Sequence, residues 1–349
     1  MIFGKIKVAL RIILIITALS LVAGLSYGED MDDALFKQAQ KLFSPLPKVM
    51  ESDQNPVTPE KVKLGKMLFY ESRISIDGTV SCAKCHPISL YGADGLRTAV
   101  GNHCKANPRN SPTVFNAASQ ISQHWIGNRM SVEDQAKQSV IGPPAFGMVK
   151  YEDVEKRLKE YEEYVALFKE AFPAEKEPVT VDNFAKAIGA FERTLLTPSP
   201  FDSYLKGNEK ALTAGQKKGL KTFMEAGCTG CHSGTYVGGQ IYQKFGLVEA
   251  YWKYTKSEKV DEGRYAVTKS EADKYVFKVP ILRNVEKTLP YFHDGSVDTL
   301  EAAVTIMAKV QLGRAVSRKQ AAEMADFLKS LTGKISEDAI TVPLLPSLE

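Results

Sequence analysis

Charge of one sign is what this chain lacks most clearly. Beyond the first 28 residues, which carry Lys5, Lys7 and Arg11, 42 basic residues stand against 41 acidic ones, and no block of like charge stands out. Nucleic-acid binding therefore has no electrostatic support, because such proteins carry a basic stripe or face. From Glu29 onward there is no short-period repeat and no low-complexity tract. Strand signals are sparse, with Tyr275 to Val279 the one short candidate, so the pattern is helical. Long hydrophobic runs are missing with one exception. Ile12 to Leu25, a run of 14 residues, is apolar apart from Thr17 and Ser20. It is short against the ~20 residues that span a bilayer. With the basic residues before it, and Ser26 and Gly28 as small residues at a cleavage point, residues 1–28 read as a signal peptide cut after Gly28. An uncleaved anchor is the competing reading; export follows from either.

Cysteine and histidine are scarce, five of each, yet they are not scattered. Four cysteines and two histidines form Cys82-Ala83-Lys84-Cys85-His86 and Cys228-Thr229-Gly230-Cys231-His232. Thiols three positions apart reach the two vinyl groups of one porphyrin as thioethers, and the adjacent imidazole then lies under the ring to bind iron. A zinc site would bring its cysteine pairs within roughly 15–20 residues of each other, whereas 142 residues lie between Cys85 and Cys228. A thioredoxin-like motif would need a βαβ context, which the pattern does not provide. Structural disulfides suit an exported protein but leave the histidine after each pair unexplained. Two covalent c-type haems are the reading that accounts for both motifs.

Helix starts carry signatures. Thr58 precedes Pro59, and Thr213 with Gln216 and Ser317 with Gln320 have capping-box spacing. Tyr151, Val154, Leu158, Tyr161, Val165, Phe168 and Phe172 fall on one face and predict one long amphipathic helix. Asp77–Ser122 and Ser233–Thr268 are long and irregular, as expected where a bound group supplies the core. Thr197-Pro198-Ser199-Pro200 reads as a linker, which gives a signal peptide (1–28), an N-terminal haem domain (29–200) and a C-terminal haem domain (201–349). The sixth position on a c-type iron sets its use, and methionine there raises the potential. In the second half Met307 competes with Met324, and each also reads as a core methionine on a helix.

The chain resembles the bacterial di-haem cytochrome c peroxidases from about Asp33 to Leu345. The resemblance rests on Pro108–Asn116 (PRNSPTVFN), Phe201–Gly207 (FDSYLKG), Gly215–Leu220 (GQKKGL), Leu282–Val285 (LRNV), Pro290–Gly295 (PYFHDG) and Gln311-Leu312-Gly313. It implies a mainly α fold of two cytochrome c-like haem domains with long loops and little β. The N-terminal haem would react with hydrogen peroxide. The C-terminal haem, ligated by His232 and Met307, would admit electrons from a small cytochrome c or cupredoxin. Trp125 would help electrons cross between them. The resemblance also implies a calcium ion on Asn110 and the backbone carbonyls of Thr288 and Pro290, a periplasmic location and a homodimer; His293, which follows closely, reads as a structural histidine near a haem propionate.

Two departures mark this chain. Gln135 matches the family's glutamine over the peroxide-binding face, but the glutamate that should follow is absent: no acid and no histidine occurs between Gln135 and Lys150. The family's histidine that caps the resting N-terminal iron falls on Asn102, with His103 one residue later and Cys104, the fifth cysteine, after it. His103 is the candidate displaceable iron ligand; a surface histidine with no iron bond is the competing reading, and His124 is the other histidine left for that side. Three functions stay open. They are a peroxidase, an electron-transfer protein without peroxide chemistry, and an oxidant of a tryptophan on a partner protein, against which Met307 argues.

Overall fold

Local chemistry starts most of the helices. Thr58 sits in extended backbone, accepts the Lys61 amide on its hydroxyl, and hands the first helical position to Pro59, whose fixed φ suits it. Both expected capping boxes form, Thr213 with Gln216 and Ser317 with Gln320. The computed structural model describes residues 32–347; the signal-peptide reading lies outside them. The helices in order are α1 (32–42), α2 (Pro59–Tyr70), α3 (Cys82–Cys85), α4 (Val132–Val140), α5 (Tyr151–Lys159), α6 (Glu162–Ala171), α7 (Val181–Glu192), α8 (Pro200–Leu205), α9 (Ala214–Ala226), α10 (Trp252–Thr255), α11 (Tyr265–Thr268), α12 (Leu300–Leu312), α13 (Arg318–Lys329) and α14 (Glu337–Ile340). Strands β1 (Tyr242–Lys244) and β2 (Val276–Lys278) pair antiparallel, with Tyr242 opposite Lys278. The fold is mainly α. Among the described residues no helix is long and apolar enough to cross a membrane.

The two halves repeat one device. In each, the helix before the Cys-x-x-Cys-His motif crosses a later helix at a glycine. A Cβ on Gly65 of α2 would lie 1.9 Å from the Ala187 carbonyl oxygen of α7, and one on Gly219 of α9 would lie 1.9 Å from the Glu323 carbonyl oxygen of α13. No other residue fits at such an approach. The first core gathers Leu68, Phe69, Phe168, Phe184 and Phe191; the second gathers Phe201, Tyr204, Phe223, Phe327 and Leu331. A small third cluster, with Leu46, Met50, Tyr236 and Ile281, lies where the halves meet.

Three expectations are corrected. The long helix over 151–172 is two helices. The chain leaves helical geometry at Tyr161 (φ −109°, ψ 106°), whose ring is buried and carries the Arg73 guanidinium 4.1 Å from its centroid. The apolar spacing reads through the break because both pieces bury the same face in one core. The expected linker is not loose. Thr197 is fully buried; its amide donates to Asn116 Oδ1 at 3.1 Å, and its hydroxyl accepts from Asn116 at 2.9 Å and from Asn284 at 2.8 Å. Finally, both chain ends cross the expected boundary: Leu35, Ala39 and Phe43 bury in the second core, and Ile335 and Ala339 in the first. Each end thereby ties the halves together.

Candidate active site

The first motif opens α3. Ser81 is extended, Cys82 begins the turn, and the His86 amide donates to the Cys82 carbonyl at 2.9 Å. His86 Nδ1 lies 3.0 Å from the Gly92 carbonyl oxygen. A carbonyl only accepts, so Nδ1 carries the proton and Nε2 is left with a lone pair for iron. Burial lowers the His86 pKa, against the pull of the Gly92 carbonyl and Asp94, which favours the neutral, ligating form. The second motif repeats the turn, with the His232 amide donating to the Cys228 carbonyl at 3.0 Å. Burial pushes the His232 imidazole down to about 4 despite the Val237 and Pro280 carbonyls beside it.

All five cysteines are free. Burial pushes the Cys85 and Cys228 thiols each up to about 11 and raises Cys82 as well. Redox-active thiols have depressed values in electropositive surroundings; these are shifted the other way. Their free, half-buried sulfurs, each pair one turn apart beside a neutral histidine, fit thioether attachment of haem.

Cys228, Cys231, His232 and Met307 line one cavity, which is mostly apolar and runs up to Asn110 and Trp125 in the first half. Met324 also touches it, but is fully buried in the second core, whereas Met307 on α12 is half-buried and open to the cavity. Trp125 sits at the junction. Its indole N–H donates to the Asn110 carbonyl at 2.9 Å, its own carbonyl accepts from the Lys278 amide at 2.8 Å, and its ring meets His293 edge-on at 6.4 Å. Asn110, Thr288 and Pro290 line the same cavity. His293 is buried with an unpartnered Nε2, 4.0 Å from Asp261 Oδ2.

Against known proteins, the family model for di-haem cytochrome c peroxidase matches residues 59–210. Over 320 residues the chain is 45% identical to the cytochrome c551 peroxidase of Pseudomonas aeruginosa, covering 90% of each. It is 39% identical to the cytochrome c551 peroxidase of Nitrosomonas europaea, covering 83% of this chain and 85% of that one. The chain belongs to the di-haem cytochrome c peroxidase family. Membership brings two haem groups, and both motifs fit them. The family is not uniform: the methylamine utilization protein MauG of Methylorubrum extorquens is 36% identical, over 84% of this chain and 83% of that one. The fold agrees with a solved MauG-like protein associated with microbial copper homeostasis, at TM-score 0.75 and 26% identity, covering 85% of this chain and 97% of that one.

Gln135 is half-buried on α4. In the stretch after Gln135 that carries no acid, Ala145 is half-buried and Phe146 buried. His103, the expected displaceable iron ligand, faces solvent and Asp77 in this structure. Its side chain is 56% exposed, its amide donates to Asp77 Oδ2 at 2.7 Å, and its Nδ1 lies 3.7 Å from the same oxygen. The Asp77 carboxylate, pulled well below its usual range chiefly by that His103 amide, holds the loop outward. Asn102 is buried and donates from Nδ2 to the Pro143 and Ala145 carbonyls at 2.6 and 2.8 Å. Cys104 is exposed.

Two buried groups had no signal in the sequence. Lys278 is buried against the cavity with its ammonium 2.8 Å from the Ser122 carbonyl, and burial pushes it down to about 7. Glu192 is buried at the end of α7, and burial pushes its carboxyl up to about 8. Neither sits in a recognisable motif.

Proposed function

We propose that the protein reduces hydrogen peroxide to water in the periplasm, with electrons delivered singly by a small cytochrome c or cupredoxin. The observation that carries this reading is the junction at Trp125. Its backbone and indole are bonded to residues of both halves, and it shares one cavity with His232 and Met307. Two one-electron sites joined by a rigid aromatic are what a two-electron reduction fed by one-electron donors requires.

Cys82, Cys85 and His86 hold the N-terminal haem, and Cys228, Cys231, His232 and Met307 the C-terminal one. Bound haem supplies the redox chemistry. The chain's residues orient it: the Gly92 carbonyl fixes the His86 tautomer, and we assign Gln135 to the peroxide-binding face. We assign calcium to the oxygen of Asn110 and the carbonyls of Thr288 and Pro290, since neutral oxygen donors suit that ion. No cluster of three His, Cys, Asp or Glu side chains offers another metal site among the described residues.

Stopped-flow mixing of half-reduced protein with peroxide, using a reduced cytochrome c as donor and calcium present, tests the reading. Donor oxidation at two equivalents per peroxide is expected. No turnover under these conditions replaces it with the electron-transfer alternative.

A further inference from the structure

The cavity that holds Cys228, Cys231, His232 and Met307 meets charge of one sign. Among the described residues Lys244 and Lys278 line it, but no aspartate and no glutamate. Lys244 is exposed, so water and salt screen it. Lys278 is only 6% exposed. It stands in β2 opposite Tyr242, and its amide donates to the Trp125 carbonyl at 2.8 Å, which fixes it at the junction of the halves. Its ammonium donates to Gln120 Oε1 at 2.5 Å and to the Ser122 carbonyl at 2.8 Å. Gln120 lines the same cavity. Both acceptors are neutral, and an ammonium has a third hydrogen to give.

A buried ammonium is costly unless an opposite charge meets it. Among the described residues no carboxylate offsets the burial of Lys278. Gly263 bridges to Val276 of the same strand, but the acids before it are engaged. Asp261 accepts from Arg109 at 2.7 and 2.9 Å, and Glu262 lies 3.9 Å from Lys274. The other charged or titratable neighbours are bases. They are His124 and Arg129 in the loop with Trp125, Arg264 stacked 4.1 Å over the Tyr242 ring, His293 with its ring 4.5 Å from that of Phe277, and Lys244.

The missing anion enters with the occupant. Haem carries two propionates, on the porphyrin edge opposite the vinyl carbons that become thioethers. We propose that Lys278 binds a propionate of the C-terminal haem, and that this pair tunes the haem's potential. The proposal rests on a haem held by Cys228, Cys231 and His232, and not on peroxide turnover.

Ferric haem carries one more positive charge than ferrous haem, so charge left nearby shifts the balance between them. The Lys278–propionate pair is neutral. Without the lysine, the propionate keeps its negative charge at high pH and favours ferric iron; at low pH it protonates and the effect disappears. Burial without a cation moves that change up from the ordinary carboxylate range. A unit charge ~10 Å away, at an effective dielectric of ~20, shifts the ferrous-to-ferric ratio roughly tenfold, about 59 mV for one electron. A Lys278 with no propionate partner would behave in the opposite way. Burial pushes it down to about 7, so the wild-type potential would fall as pH rises and that charge is lost. Burial also pushes His124 down to about 4 and lowers His293, so neither titrates above about pH 6.5.

Potentiometric titration of the C-terminal haem in the intact holoprotein, from about pH 6.5 to 9, tests this. Wild type and Lys278→Arg should be flat over the range. Lys278→Met should match them at the acid end and fall below them by roughly tenfold in the ferrous-to-ferric ratio at the alkaline end. A wild-type potential that falls through about pH 7 overturns the proposal without any variant. So does Lys278→Met that follows wild type at every pH, or an equal drop in both variants, which marks a packing effect. A wild-type potential that depends on chloride concentration assigns Lys278 to a free anion and overturns it too. A chain with no haem on Cys228 and Cys231 removes the assignment beneath the proposal, and the proposal with it. The expected pattern in a protein that turns over no peroxide sinks the peroxidase reading and leaves Lys278 in place.

Discussion

Asp202→Asn should destabilise the second half out of proportion to its size. Asp202 and Arg283 form a pair sealed from water, with side-chain exposures of 2% and 0%. Arg283 Nη1 and Nη2 donate to Oδ2 and Oδ1 at 2.8 and 2.9 Å, and its Nε donates to the Thr235 carbonyl at 2.7 Å, three residues after His232. Asp202 also accepts the Leu46 amide at 2.7 Å and the Ser199 amide and hydroxyl at 2.7 and 2.8 Å. The pair thus clamps α1's exit, the crossing between the halves and the second haem motif to one point. An asparagine is neutral and turns an N–H₂ toward donors, leaving the guanidinium buried and uncompensated. Removing one partner of such a pair costs about 3–5 kcal/mol, a factor of at least ~10² in the folded ratio. Urea unfolding of the holoprotein, followed by circular dichroism, should show the midpoint drop at unchanged slope.

The pH dependence carries a sign. Burial pushes the Asp202 carboxyl up, but the charge and hydrogen bonds of Arg283, with the Leu46 and Ser199 amides, hold it below its ordinary value. A depressed carboxylate stabilises above its unfolded pKa of ~3.9 and loses that stabilisation as pH falls through the folded value. The gap between wild type and Asp202→Asn should therefore be constant near neutrality and narrow below about pH 4. A loss under ~1 kcal/mol, or a gap that ignores pH, refutes the buried-charge argument. The double change Asp202→Leu with Arg283→Met should recover much of the loss, since apolar pairs often replace buried ion pairs at little cost.

Other outcomes follow from the same geometry. Haem staining after denaturing electrophoresis, with a pyridine haemochrome assay, should give two covalent haems per chain; a ratio near one, or haem lost to acid–acetone, contradicts the reading of Cys82–His86 and Cys228–His232. Met307→His should lower the potential of the C-terminal haem substantially, because a thioether favours ferrous iron more than an imidazole does; an unchanged potential points to Met324 or no methionine at all. Gly219→Ala should cost about 1–3 kcal/mol or more by overpacking, since its Cβ would meet the Glu323 carbonyl oxygen at 1.9 Å, and thermal unfolding of the variant reads this directly.

Some of this was written locally, and some was not. The thiol and imidazole spacing of each motif is fixed over five consecutive residues, so the chemistry of attachment is legible without a fold. Helix starts at Thr58, Thr213 and Ser317 are equally local, because a cap is a bond to a backbone group three residues away. The apolar periodicity over 151–172 identified the buried face correctly and missed the break at Tyr161, because periodicity reports which side is buried and not whether the backbone stays helical.

What only the tertiary structure decided are matters of long-range partnership. Leu35 and Ile335 each pack with the half of the chain that sequence position assigns to the other. Thr197 is buried because Asn116 and Asn284, remote in sequence, both reach it. His103 and His124 are indistinguishable as letters. One is turned to solvent by Asp77, and the other is oriented by Asn128 in a loop pinned from the second half. A side chain's residue type sets what it can bond; which partner it meets depends on contacts that form only in the folded chain and leave no pattern along the sequence.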